Sequence, residues 1–189
     1  MAEIRTIAVI GAGTRGCEIA VISARGGFRT ILEDILPASL RRAEGEVRAA
    51  FELATAAGEL SRDEADAALG RIEYAGSVEQ AAREADLVIE VVPDELESKL
   101  EIFTLLDKVA RPTTILACSS GSYSLSDLAS VTYRADKILG MRLCIPAEGT
   151  ELLEIVRTRK TAPEIAAACA EAGRRMGVQV MVTDEVLSP

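Results

Sequence analysis

The residues with the most legible chemistry are the glycines of Gly11-Ala12-Gly13-Thr14-Arg15-Gly16. On its own a G-x-G-x-x-G arises by chance. Here a β-branched apolar run, Ile4 to Ile10, precedes it, and an amphipathic helical stretch, Thr14 to Arg25, follows. That context supplies what dinucleotide binding needs. The first glycine permits a tight turn, the second lets the backbone approach a pyrophosphate, and the third lets helix pack on strand. The free amides at the helix start then face the phosphates. A second short run, Arg29 to Glu33, leads to Asp34, 23 residues after Gly11. A carboxylate there accepts hydrogen bonds from both ribose hydroxyls of NAD and repels the 2′-phosphate of NADP. Asp34 is the expected acid, with Glu33 as the fallback. The bland alternative, a tight turn followed by surface charges, must explain why strand, glycines, helix and acid coincide.

Other familiar chemistries are thinly supplied. The chain has no histidine, and its cysteines, Cys17, Cys118, Cys144 and Cys169, form no CxxC pair. A zinc site is therefore not expected. The cysteines read as reduced structural thiols, with Cys118 and Cys144 on neighbouring strands. A net charge of −9 argues against a nucleic-acid partner,. It does not argue against one dinucleotide held by backbone amides. No apolar run reaches the ~18 residues of a membrane helix. The N-terminus lacks a signal-peptide layout, so a cytoplasmic location and no membrane partner are expected.

The elements that must position these groups alternate between short apolar runs and amphipathic stretches, the pattern of βαβ units. Gly26-Gly27 should stop the first helix. Pro37 to Gly70 reads as a helical pair inserted after strand two, broken at Gly58, with Ser61 to Glu64 as a capping box,. Further strands are expected at Arg71–Ala75, Asp86–Val92, Thr113–Cys118, Lys137–Leu143, Leu152–Arg157 and Val178–Thr183. Helices are expected at Ser77–Glu84, Glu95–Val109 and Ala162–Met176. The fold class is α/β: a Rossmann doubly wound, mostly parallel sheet with an inserted helical pair. Residues 1–189 read as one dinucleotide-binding domain.

Several segments together resemble the NAD-binding domain of the 3-hydroxyacyl-CoA dehydrogenases. They are Ile7 to Thr14, Ala65 to Ile72, Ala85 to Pro93, Phe103 to Asp107, Ile138 to Met141 and Leu152 to Val156. The resemblance implies NAD as cofactor and oxidation of an L-3-hydroxyacyl-CoA, in fatty-acid metabolism. It implies that Asp94 and Lys99 line the cofactor after strand four, and that Ser119 lies beside the nicotinamide ribose. The plainer readings are a helix cap for Asp94 and a solvated charge for Lys99. The family's helical C-terminal domain would lie beyond Pro189. Either the chain works alone, or a partner chain or second copy supplies the rest, or it is a fragment.

The catalytic positions depart from the family pattern. The position of the family's histidine base is Arg142, in Gly140-Met-Arg-Leu-Cys-Ile-Pro146. Arginine stays protonated to above pH ~12 and is no base near neutrality. The acid that orients the histidine matches Glu154, which is retained. The substrate-contacting serine matches Gly121, with Ser122 beside it, and the family's Asn-Pro becomes Ile145-Pro146. Arg142 and Glu154 are expected to form a bidentate ion pair, the alternative being an Arg142 that points to solvent. A carboxylate beside a cation is a poor proton acceptor. In the cofactor loop, Arg15 either touches the pyrophosphate or is solvated, and Glu18 complements the helix dipole.

These features favour an NAD(H)-binding relative whose hydride-transfer chemistry is lost or altered, with an acyl-CoA-like small molecule as a possible second ligand. The alternative is an active 3-hydroxyacyl-CoA or small hydroxy-acid dehydrogenase that uses another base, such as water or Tyr123, or a partner chain. A generic nucleotide-binding Rossmann domain is the third reading.

Overall fold

The computed structural model describes residues 3–144 and 151–185. The chain runs β1 (Thr6–Ile10), α1 (Thr14–Arg25), β2 (Arg29–Glu33), α2 (Pro37–Ala56), α3 (Arg62–Leu69), β3 (Ile72–Ala75), α4 (Val78–Ala82) and β4 (Leu87–Glu90). It continues through α5 (Leu96–Val109), β5 (Ile115–Cys118), α6 (Leu125–Ser130), β6 (Ile138–Cys144), β7 (Leu152–Arg157), α7 (Pro163–Arg175) and β8 (Gln179–Asp184). The strands form one sheet in the order β3-β2-β1-β4-β5-β6-β7-β8. All pairs are parallel except β6 with β7. The order reverses at β1, whose neighbours are β2 and β4. In doubly wound sheets that switch point is where ligands bind, beyond the carboxyl ends of the strands.

Helices cover both faces, so the central strands have no solvent side. All five residues of β1 are buried, as expected for a parallel strand sandwiched between helices. Ile7 and Val9 join the core beneath α1, α2, α3 and α7, while Ala8 and Ile10 join the core beneath α4, α5 and α6. The punctuation follows the sequence. Gly26 ends α1 and Gly27 takes φ +84°, and Pro37 opens α2. Ser61 and Glu64 make the reciprocal capping box of α3,.

Two findings differ from the expectations. The six-residue helix α6 follows the serine-rich segment, capped by Ser124, whose hydroxyl accepts from Asp127 N. Cys144 is exposed rather than structural, although all four cysteines are free thiols as expected. Cys118 pairs with Gly140 across β5 and β6. Cys144 lies four positions further along β6, roughly 13 Å away and beyond disulfide reach. Ile145 and Pro146 lie outside the described residues.

Candidate functional site

The glycine loop connects β1 to α1 at the switch point. Gly11 takes φ +112°, a region L side chains rarely adopt, and its amide donates to Glu33 O at 2.9 Å,. A Cβ at position 16 would sit 1.9 Å from Gly11 O, so Gly16 is fixed by the approach of helix to strand. Gly13 differs: a Cβ there would meet nothing within 4 Å. Gly13 caps α1 with no side-chain hydrogen bond, and no acid occupies the first turn. Open space in front of unpaired helix-start amides is where a phosphate fits. Thr14, exposed, begins α1 beside that space.

Asp34 follows β2 and closes over this loop. Its Oδ2 accepts from Ala12 N at 3.1 Å and its Oδ1 from Leu36 N at 2.9 Å. Each carboxylate oxygen keeps a lone pair for a ribose hydroxyl. Glu33 is buried instead, 3% exposed. Burial, followed by the charges of Asp34 and Glu79, pushes its carboxyl up to about 7. Of the two acids, Asp34, the first choice of the sequence, is the one whose carboxylate bonds to the glycine loop. Beside it lies a cavity of about 650 Å³, with Gly11, Gly13, Glu33, Asp34 and Arg42 on its wall. Its apolar lining, Val91, Val92, Pro93, Ile102 and Leu105, suits an adenine ring,. These residues fit an adenine dinucleotide. Arg42, which no sequence signal marked, reaches back from α2 to Ala12 O at 3.2 Å.

Arg15 and Lys99, both expected at the cofactor, have protein partners of their own. Arg15 donates to Leu143 O at 2.9 Å and Glu18 Oε2 at 3.1 Å. It bridges α1 to the end of β6 rather than lying free over the pyrophosphate, and Glu18 is its ion-pair partner. Lys99 is 1% exposed and is neither solvated nor on the wall of the adenosine cavity. Its ammonium donates to Glu90 Oε1 at 2.8 Å beneath the end of β4 and stands 3.7 Å from Asp94 Oδ1. Burial alone would lower the Lys99 pKa, but the hydrogen bond and charge of Glu90 outweigh it and raise it. Glu90, itself fully buried, also accepts from Val92 N at 2.8 Å and Cys118 Sγ at 3.2 Å.

Asp94 accepts from Ser120 Oγ at 2.5 Å rather than capping α5. The bonds from Ser120 and Ser122, with help from Lys99, hold its carboxyl below the usual range. Ser119 is half-buried at the end of β5, its amide donating to Glu90 O at 3.0 Å. Tyr123 donates its hydroxyl to Asp94 O at 2.8 Å.

A second group of polar side chains is built on the β6–β7 pair. Arg142 and Glu154 face each other in register, and Arg142 Nη1 meets Glu154 Oε2 at 3.2 Å. The expected pairing is present, but it is a single bond rather than a bidentate fork. Thr183 of β8 takes the other carboxylate oxygen, donating to Glu154 Oε1 at 3.1 Å. The Arg142 guanidinium lies against Gly121, where an added Cβ would come 3.1 Å from Cζ and 3.2 Å from Nε. Arg142, Glu154, Gly121, Ser122 and Thr183 line a second cavity, of about 690 Å³.

Residues 6–186 match the family model described as 3-hydroxyacyl-CoA dehydrogenase, NAD binding domain. The chain belongs to that family. It is 30% identical, over 93% of its length and 61% of the relative's, to a probable 3-hydroxybutyryl-CoA dehydrogenase of Bacillus subtilis (strain 168). Among solved structures it is similar to 3-hydroxybutyryl-CoA dehydrogenase of Escherichia coli K12. The TM-score is 0.90 at 30% identity, covering 96% of this chain and 38% of that one. It is also similar to (S)-3-hydroxybutyryl-CoA dehydrogenase of Ralstonia eutropha, with TM-score 0.91 at 27% identity, covering 97% and 65%. The chain spans about three fifths or less of the first curated relatives it matches. As a 3-hydroxyacyl-CoA dehydrogenase family NAD-binding domain, it carries the family's cofactor loop without any histidine. Among the described residues no helix is long and apolar enough to cross a membrane. No cluster of three metal-ligating side chains occurs among them either.

Proposed function

We propose that this chain holds NAD(H) through the glycine loop and Asp34, and that it does not carry out hydride transfer with the family's histidine base. The observation that carries the reading is the contrast between the switch point and β6. Gly11, Gly13, Gly16 and Asp34 form an intact cradle, while the position expected to supply the base holds Arg142. The dinucleotide accepts or delivers a hydride when bound. Around it, the Gly13 face receives the pyrophosphate, Asp34 orients the adenosine ribose, and Asp94 with Ser119 borders the nicotinamide half. Lys99 acts from beneath by fixing Glu90 and Asp94. Arg142 retains its proton through the physiological range, so it donates hydrogen bonds to a ligand and does not remove a hydroxyl proton. Tyr123 is committed as a donor to Asp94 O, which weakens its claim as a substitute base.

An acyl-CoA-like molecule is the second ligand of this reading, with the rest of its site provided by further sequence, a partner chain or a second copy. The buried free thiols suit a reducing compartment such as the cytoplasm,. Titration calorimetry with NAD, NADH and NADP, repeated with acetoacetyl-CoA present, tests the reading. Micromolar NAD or NADH binding with NADP at least tenfold weaker supports it. Equal affinity for NADP, or no dinucleotide binding, overturns it.

A further inference from the structure

The cavity on the β6–β7 side carries an inference about ligand class. It replaces the acyl-CoA-like second ligand of the proposed function with a free acid, and rests on that reading only for where the dinucleotide lies. A histidine base would offer its ligand a neutral ring nitrogen. Arg142 offers a fixed cation with five donors and no acceptor. Among the described residues one of those donors is engaged, by Glu154, and the buried Nε has no partner. The buried Nε is costly without an acceptor, and the Nη2 donors, which also have no partner among the described residues, are left for an arriving acceptor.

Among the described residues, one of the surrounding acids, Glu154, is paired with this cation, and two others are engaged elsewhere. Glu154 divides its oxygens between Arg142 and Thr183. Asp184 is paired with Arg157 at 2.6 Å. Glu185 caps α6, accepting from Leu125 N at 2.6 Å and Ser126 Oγ at 2.7 Å. Among the described residues lining the cavity, Asp127 is the remaining acid and Arg142 the only cation. Space for the guanidinium comes from position 121. Gly121 lacks the Cβ that would press on Cζ, Nε and Nη1 at 3.1 to 3.3 Å. Gly121 and Arg142 therefore act as one steric unit, although 21 positions separate them.

We propose that this cavity is a carboxylate-binding site, in which Arg142 takes the free carboxylate of a short keto or hydroxy acid and Gly121 makes room for the guanidinium. A planar fork of donors matches a planar acid better than it matches a thioester.

The test is calorimetric titration of the full chain with acetoacetate and with acetoacetamide, its uncharged near-isostere, each with and without NADH. Acetoacetate binds saturably and at least tenfold more tightly than the amide. Arg142→Gln abolishes that preference, and Arg142→Lys restores part of it. Gly121→Ala, at a position with no left-handed φ, weakens acetoacetate about tenfold by displacing the guanidinium. Thermal unfolding of each variant confirms that it is folded. Equal affinity for acid and amide, retention of the preference in Arg142→Gln, or no saturable acetoacetate binding in either state overturns the proposal. Failure of NADH to bind while acetoacetate still binds contradicts the cofactor reading and leaves the anion site standing.

Discussion

The glycine loop and the Arg142 cavity sit on the same sheet and are built differently. At the loop the backbone makes the site: amides, a positive φ at Gly11 and a helix start, with contacts as close as 1.9 Å to an added Cβ. At the cavity side chains make the site, carried by β6, β7, β8 and the β5–α6 loop. A backbone site is lost when its glycines are lost, so its spacing is legible. A side-chain site can be altered by substitutions that leave the strands in place, so its residues are less legible. One fold can thus hold a cofactor cradle and alter the chemistry beside it.

The buried Lys99–Glu90 pair forms the seam between the two regions. Lys99→Met leaves Glu90 as an unpaired buried carboxylate, and should cost about 3–5 kcal/mol in chemical denaturation. The double variant Lys99→Met/Glu90→Gln should recover much of that. A single variant as stable as the parent shows that the seam is not held by this pair.

Gly16→Ala and Gly13→Ala separate packing from ligand space within the loop. The first should destabilise the chain by about 3 kcal/mol, since backbone must move,. The second should leave stability within about 0.5 kcal/mol and weaken NAD in a calorimetric titration. Equal stabilities contradict the geometric division of labour.

Glu33 gives the loop region its own pH dependence. Its folded pKa, about 7, lies above the ordinary carboxyl value of 4.5. The folded state therefore holds its proton more tightly. The Glu33 contribution to stability is greatest below 4.5, falls as pH rises through about 7, and levels off at a loss on the order of 3 kcal/mol. Denaturation midpoints across that range should slope downward in the parent and lie flatter in Glu33→Gln.

Asp34→Ala sharpens the comparison most gently. It should weaken NAD about tenfold, or ~1.4 kcal/mol, and narrow the gap to NADP. Unchanged affinities remove Asp34 from the ribose site.

The doubly wound order, the inserted helical pair and the glycine cradle were legible because local patterns specify them. Thr14–Arg25, Arg29–Glu33 and Leu152–Arg157 are placed with the same limits in sequence and structure. Helix α6 was not legible, since six residues of serine-rich chain carry too little periodicity. The burial of Lys99 was hidden because its partner, Glu90, lies on a different element nine positions earlier. The Arg142–Glu154 pair was legible from two matched positions. Its single bond was not, because Thr183 of β8 takes the second oxygen.

The central claim is a competent cofactor cradle beside a site without the family's base. The most direct test mixes the protein with NADH and acetoacetyl-CoA at neutral pH, following NADH fluorescence for binding and absorbance for oxidation. The account predicts saturable NADH binding at micromolar concentration, and no NADH oxidation above a control without protein. Rapid oxidation at neutral pH, or no bound NADH, contradicts it.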